Sequence, residues 1–190
     1  PEMRKKMMDA WGCEIAEGKV GLTVTKLINV LADEPGKVKC VYIMGENPMI
    51  SDPDLHHVEK GMKNVEFMVV QDIFLTETAQ YANVVLPAAC YAEKDGTQTN
   101  TERRVQKWRK AQDPPGEAKA DWQIFCELAK HMGFEKQFPY KSAEEVFTEI
   151  SKVTPSYGGM NYARLEKPEA LHWPCPTVEH PGTPILHKES

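Results

Sequence analysis

Val38-Lys39-Cys40-Val41-Tyr42-Ile43-Met44 runs straight into Gly45-Glu46-Asn47-Pro48. An apolar run of strand length, broken by glycine, asparagine and proline, predicts a buried strand that ends abruptly in a loop. Two further runs repeat the pattern. Phe67-Met68-Val69-Val70 stops at Gln71-Asp72, and Asn83-Val84-Val85-Leu86 stops at Pro87. Between the first two strands, Leu55, Val58 and Met62 fall at helical spacing, with Asp52 as the expected cap and Pro53 at the first helical position. Thr76 to Tyr81 supplies a polar helical stretch between the second and third. Strand, helix, strand, helix, strand predicts an α/β fold: a Rossmann-like, mostly parallel sheet flanked by helices. The continuous apolar character of the strands predicts burial on both faces.

Outward from this centre, helices are expected over Glu2–Trp11 and Thr23–Ala32 on the N-terminal side. Downstream, Tyr91 to Gly116 lacks periodicity. Glu93-Lys94-Asp95-Gly96-Thr97 is turn-like, and Arg103 to Lys110 is rich in basic residues. A solvated edge with mixed ion pairs is the ordinary expectation there; phosphate contact by Arg103 or docking of a partner is the functional alternative. A helix is predicted from Asp121 to Met132, with Asp121 as cap and Trp122, Phe125, Leu128 and Met132 inward. Ser142-Ala143-Glu144-Glu145 is a capping-box match that opens another helix, with Val146, Phe147 and Ile150 inward. Beyond Thr154 no periodic element is expected. The reading divides the chain into an α/β domain over 1–154 and an extended, Pro-rich tail over 155–190 that needs a neighbouring surface.

The chain has 190 residues, enough for one domain plus an appendage at roughly 150 residues per domain. Its 28 acidic and 23 basic residues give a net charge of −5, which argues against a broad nucleic-acid surface. No apolar run approaches the ~18 residues needed to cross a bilayer. The start at Pro1 and the proline-rich end predict a piece of a longer chain. Cys13, Cys40, Cys90, Cys126 and Cys175 are widely spaced, with no C-x-x-C pair, so structural thiols are expected rather than metal ligands. His56 and His57 are adjacent and would point about 100° apart on a helix. No G-x-S-x-G, H-E-x-x-H, P-loop or G-x-G-x-x-G occurs. The sequence thus offers no catalytic residue and no metal ligand of its own.

What it offers is a binding edge. Ligands of open parallel sheets bind outside the carboxyl ends of the strands. Three such ends are expected to converge here. Gly45 would allow close backbone approach. Asn47, Ser51, Gln71 and Asp72 would supply donors and acceptors, Asp72 to a ligand amine or hydroxyl. The helix opening at Pro53 would turn free N–H groups toward a phosphate. The ordinary alternative is that these residues are turn and cap formers. Taken together, the loops favour a nucleotide-like ligand, while the missing glycine fingerprint argues against ordinary NAD binding.

Tyr42-Ile-Met-Gly-Glu-Asn-Pro48, Val69-Val-Gln-Asp-Ile-Phe-Leu-Thr-Glu-Thr78 and Ala82-Asn-Val-Val-Leu-Pro-Ala-Ala89 closely resemble the molybdopterin oxidoreductase family. Glu93 to Thr97, Thr99 to Val105, Pro114 to Ala118, Asp121-Trp122, Leu171 to Pro176 and His180 to Pro184 narrow the resemblance to formate dehydrogenase catalytic (alpha) subunits. It implies a four-domain parent that interconverts formate and CO2 at a molybdenum or tungsten centre. The parent would hold a bis-molybdopterin guanine dinucleotide and an iron–sulfur cluster. This chain resembles the third, cofactor-gripping domain. Gly45, Asn47 and Ser51 match its first cofactor loop, Gln71 and Asp72 the second, Pro87 and Ala88 the third, and Asp121 a further contact. The cluster cysteines and the metal-ligating cysteine or selenocysteine of the family are missing. The piece is therefore expected to be inactive alone and to retain no cofactor. Implied partners are the remaining parental domains and iron–sulfur or flavin electron-transfer subunits, with no nucleic acid and no membrane insertion, in the cytoplasm. The alternatives are another member of the family, such as a nitrate reductase or an NADH dehydrogenase large subunit, a non-catalytic electron-transfer scaffold, or a free-standing nucleotide-binding module.

Overall fold

A computed structural model describes residues 2–15, 17–18 and 20–188. In chain order the elements are α1 (Glu2–Trp11), α2 (Val24–Asp33), β1 (Cys40–Met44), α3 (Pro48–Ser51), α4 (Leu55–Asn64), β2 (Phe67–Asp72), β3 (Val84–Pro87), β4 (Gly96–Thr99), β5 (Arg104–Trp108), α5 (Asp121–His131), α6 (Ala143–Val153), α7 (Tyr162–Leu165) and β6 (Leu171–His172). Short 3-10 turns cover Thr78–Tyr81, Tyr91–Glu93 and Pro155–Tyr157. The chain forms two compact units. One holds residues 17–90 and 114–119, and the other holds the remaining segments.

The first unit is the expected α/β layer. Its sheet has the order β1-β2-β3, parallel throughout, with Met44 beside Gln71 and Asp72 beside Pro87. Val41 and Ile43 of β1 and Met68 and Val70 of β2 share one face. They pack with Ile28 and Leu31 of α2 and Val58 and Met62 of α4. Full burial of each such side chain contributes about 1.5–3 kcal/mol. Gly61 sets the helix spacing, because a Cβ there would lie 3.1 Å from Cβ of Leu31. Asn64 ties the same pair of helices, donating from Nδ2 to the carbonyls of Leu31 and Ala32 at 3.1 Å each. Residues 118–119 return to this sheet: Ala88 bridges Lys119 in parallel, and Ala89 N–H donates to the Lys119 carbonyl at 2.8 Å.

The expectation of strands buried on both faces is corrected. Burial alternates along β1 and β2, and Cys40, Met44, Phe67 and Val84 on the opposite face are exposed. A short helix, α3, follows β1 unexpectedly, and the helix expected to start at Pro53 starts later. α4 opens at Leu55, and Asp54 rather than Asp52 caps it, in a left-handed conformation (φ 57°) that accepts from His57 N–H at 3.3 Å.

The second unit differs most from the sequence reading. The aperiodic stretch after Tyr91 contains an antiparallel hairpin, β4 with β5, to which β6 adds. Gly96 makes the hairpin possible, since a Cβ there would sit 2.8 Å from Nε1 of Trp108. The segment read as an extended tail supplies α7, β6 and much of a core: Met160, Tyr162, Leu171 and Cys175 pack with Val105 and Phe147. Arg103, in a left-handed turn (φ 69°), anchors that segment by donating to the carbonyls of Trp173, Thr183 and Pro184. In α5 the buried residues are Ile124 and Ala129, and Met132 is exposed. α6 is capped as expected, with Ser142 Oγ accepting from Glu145 N–H at 3.2 Å. Phe147 is buried, whereas Ile150 is exposed.

Candidate functional site

The parallel order of the sheet brings Gly45, Asn47, Ser51, Gln71, Asp72, Pro87 and Ala88 to its carboxyl edge. Gly45 takes φ 64°, a left-handed conformation that an L side chain resists, and no heavy atom lies within 4 Å of a Cβ built there. The loop thus needs glycine for its backbone and faces open space. Its N–H donates to the Gln71 carbonyl at 2.9 Å, which fixes the turn on β2.

Asn47 is held on both sides of its amide. Oδ1 accepts from Thr78 N–H at 3.2 Å and from Thr78 Oγ1 at 2.7 Å, while Nδ2 donates to Glu77 Oε2 at 2.7 Å. The Asn47 amide in turn holds the Glu77 carboxyl below the usual carboxylate range. Ser51 is exposed, and its hydroxyl donates to Asp52 Oδ1 at 3.3 Å. Gln71, expected in a loop, lies inside β2 and is fully buried, accepting from the Tyr42 hydroxyl. Asp72 is partly exposed at the last position of β2, with Oδ1 accepting from Phe74 N–H at 3.1 Å. Pro87 is exposed at the end of β3, and Ala88 is buried with its N–H donating to the Asp72 carbonyl at 3.0 Å. Asp121 lies in the other unit, at the first position of α5, and accepts from Lys94 Nζ.

Two features escaped the sequence reading. Thr78 is fully buried beside Asn47, inside a stretch that reads only as polar helix. Asp52, read as a cap, has lost that task to Asp54. Its Oδ2 is buried without a hydrogen-bond partner. Asp52 borders a cleft of about 410 Å³ shared with Thr25, Asn29, Asp33, Asp54 and His57. At the helix N-terminus expected to face a phosphate, the Asp54 carboxylate accepts from His57 N–H. Neither 45–56 nor 71–89 contains a lysine or arginine, while Glu46, Asp52, Asp54, Asp72 and Glu77 are acidic. Such an edge suits N–H and O–H donors, as on a purine or ribose, better than phosphate oxygens.

The basic stretch is absorbed structurally. Lys107 and Arg109 pair with Glu166, Lys110 with Asp113, and Arg104 with Glu102. Among the described residues no cysteine forms a disulfide; burial pushes the Cys126 thiol up, away from nucleophilic use. Among the described residues no cluster of His, Cys, Asp and Glu could hold a metal ion, and no helix is long and apolar enough to cross a membrane.

Comparison with known proteins finds relatives across nearly the whole chain. The alpha subunit of F420-dependent formate dehydrogenase 1 from Methanococcus maripaludis is 56% identical over 189 residues, covering 100% of this chain and 27% of that protein. The corresponding subunit from Methanocaldococcus jannaschii is 59% identical over 170 residues, covering 89% of this chain and 24% of that one. The assimilatory nitrate reductase catalytic subunit of Bacillus subtilis is 39% identical across 100% of this chain and 27% of its own length. Acetylene hydratase from Pelobacter acetylenicus shares the fold with a TM-score of 0.62 at 27% identity, over 85% of this chain and 22% of that one. The chain therefore spans about a quarter of the length of the curated relatives it matches. The family profile described as molybdopterin oxidoreductase matches residues 4–131, a stretch that holds all three strand ends and Asp121, and the chain belongs to that family.

Proposed function

We propose that this chain is a cofactor-binding segment of a formate dehydrogenase catalytic subunit, gripping one guanosine end of a bis-molybdopterin guanine dinucleotide. The carrying observation is the parallel order of β1, β2 and β3. It gathers Gly45, Asn47, Ser51, Asp72 and Pro87 at one carboxyl edge, inside the residues the family profile matches. The identity to formate dehydrogenase alpha subunits supports the reaction class.

The residues present fit such a group. The orphaned Asp52 Oδ2 and the Asp72 carboxylate are acceptors for the N–H edge of a guanine and for ribose hydroxyls. The open space before Gly45 admits a ring close to the backbone. When bound, the group supplies the two-electron chemistry through a molybdenum or tungsten ion. This chain binds and orients it, and contributes no ligand to the metal. Asp121, from the other unit, is proposed as a further cofactor contact, which would require it to leave or share Lys94. The remaining domains of the parent and its electron-transfer subunits, with an iron–sulfur cluster, complete the proposal.

The test is the Asp72→Ala substitution in the full-length subunit. Pterin and metal content per chain should fall while the protein remains folded by circular dichroism. Content equal to wild type would overturn the assignment. The nitrate reductase relative defines the second reading, and formate-dependent dye reduction by the full-length enzyme decides between them.

A further inference from the structure

We infer that Thr78 is a positioning residue for the cofactor edge, and that the Asn47 side chain serves Thr78 and Glu77 rather than the ligand. This rests on the cofactor-binding reading above. Thr78 opens the 3-10 turn in the crossover from β2 to β3, and it is fully buried, so no ligand reaches it. Three groups of the loop after β1 nevertheless converge on this corner. Asn47 Oδ1 accepts from both Thr78 N–H and Thr78 Oγ1. Met49 N–H donates to Thr78 Oγ1 at 3.1 Å. Asn47 Nδ2 donates to Glu77 Oε2.

The amide orientation follows from chemistry. A backbone N–H can only donate, so the atom of Asn47 facing Thr78 N–H must be the oxygen. Both acceptor sites of Oδ1 are then taken, and one amide hydrogen is committed to Glu77. The Asn47 carbonyl is also engaged, accepting from Ile50 N–H at 2.8 Å and Ser51 N–H at 3.0 Å. Asn47 thus works as a latch. It locks the Gly45–Pro48 loop to the β2–β3 crossover, and Thr78 is the keeper it closes on. The loop that carries Gly45 is set before any ligand arrives, which lowers the ordering cost of binding.

The experiment uses the full-length subunit. Pterin and guanine nucleotide retained per chain are measured after gel filtration, and melting temperature is followed alongside. Thr78→Val keeps the shape but removes the hydroxyl, and should lower retention by about tenfold. Thr78→Ser restores the hydroxyl and should stay within about twofold of wild type. Asn47→Asp keeps Oδ1 but sets a carboxylate oxygen against Glu77, and should lose about tenfold. The double variant Asn47→Asp with Glu77→Gln gives the glutamine amide a partner, and should recover to within about twofold. This recovery separates a latch from a direct contact, since a lost contact between Asn47 and the cofactor would not return with Glu77→Gln.

Wild-type retention in Thr78→Val, with loss in Asp72→Ala, overturns the inference and leaves the cofactor reading intact. Wild-type retention in both overturns the cofactor reading itself. Failure of the double variant to recover, or loss in Thr78→Ser equal to that in Thr78→Val, also overturns the latch.

Discussion

Gly45 offers a way to separate what the loop needs for folding from what it needs for binding. Its φ of 64° places an alanine in the left-handed region, where an L-residue loses roughly 1–2 kcal/mol. Part of that is offset, because alanine restricts the unfolded chain by about 0.4–1 kcal/mol. No packing penalty adds to it, since nothing lies within 4 Å of the new Cβ. The net destabilisation from Gly45→Ala is therefore about 1 kcal/mol, equivalent to a drop of about 2–4 °C in Tm for a chain of this size. Asparagine tolerates the left-handed region, so Gly45→Asn should melt close to wild type. Gly45→Val, β-branched, should fall furthest. Differential scanning calorimetry on the 190-residue chain measures this order. Cofactor retention in the full-length subunit should follow a different order, because every side chain enters the space before the loop. Gly45→Asn, nearly wild type in stability, should still retain about tenfold less pterin, equivalent to about 1.4 kcal/mol. Equal melting of Gly45→Asn and Gly45→Val would refute the backbone reasoning. Full retention in Gly45→Asn would refute the placement of the ligand.

Two further outcomes concern glycine and tyrosine positions outside the strand-end loops. Gly159→Ala would bring a Cβ within 1.9 Å of the Thr177 carbonyl oxygen, which is backbone and cannot swing aside. It should cost about 3 kcal/mol or more in urea denaturation, whereas Gly36→Ala (φ 84°, open space) should cost about 1 kcal/mol. Burial, and then the hydrogen bond to Glu149, raises the Tyr140 hydroxyl pKa above its ordinary value. Its neutral form is favoured by folding, so this stability is complete below about pH 10, the unfolded value, and is lost as pH rises toward the folded one. Tyr140→Phe should therefore show a shallower alkaline decline in urea midpoint than wild type.

The three strands and the edge they define were legible in the sequence because each run is apolar, short and cut by Gly-Glu-Asn-Pro, Gln-Asp or Pro. Local chemistry alone carries that signal. The hairpin over 96–108 was not legible. Its residues are polar, and its formation depends on Gly96 yielding space to Trp108 and on Arg103 turning left-handed, neither of which has a period. The 155–188 segment was misread for the same reason. Its proline content reads as extended chain, but Tyr162, Leu171 and Cys175 are spaced irregularly and reach one core only through turns. At the site, composition identified Asn47 and Asp72, but not what they touch. Thr78 was hidden because a buried threonine inside a polar stretch looks like any other. Asp52 and Asp54 exchanged roles because two aspartates flank Pro53, and only the backbone decides which one caps.

The brief return of residues 114–119 to the sheet has a consequence for synthesis. The chain leaves the first unit at Cys90, builds the hairpin, and comes back for Pro114–Lys119 before departing again. A nascent chain that has emerged only to residue 90 already has all three parallel strands, yet the edge at Ala88 and Ala89 still lacks Lys119. The sheet cannot be closed by simple vectorial order. It must wait, with Pro87 and Ala88 joined to β2 through Asp72 but still lacking Lys119, while more than twenty further residues leave the ribosome. That interval leaves an open strand edge, and it makes 17–119 rather than 17–90 the smallest segment that can be exchanged between relatives without reopening it.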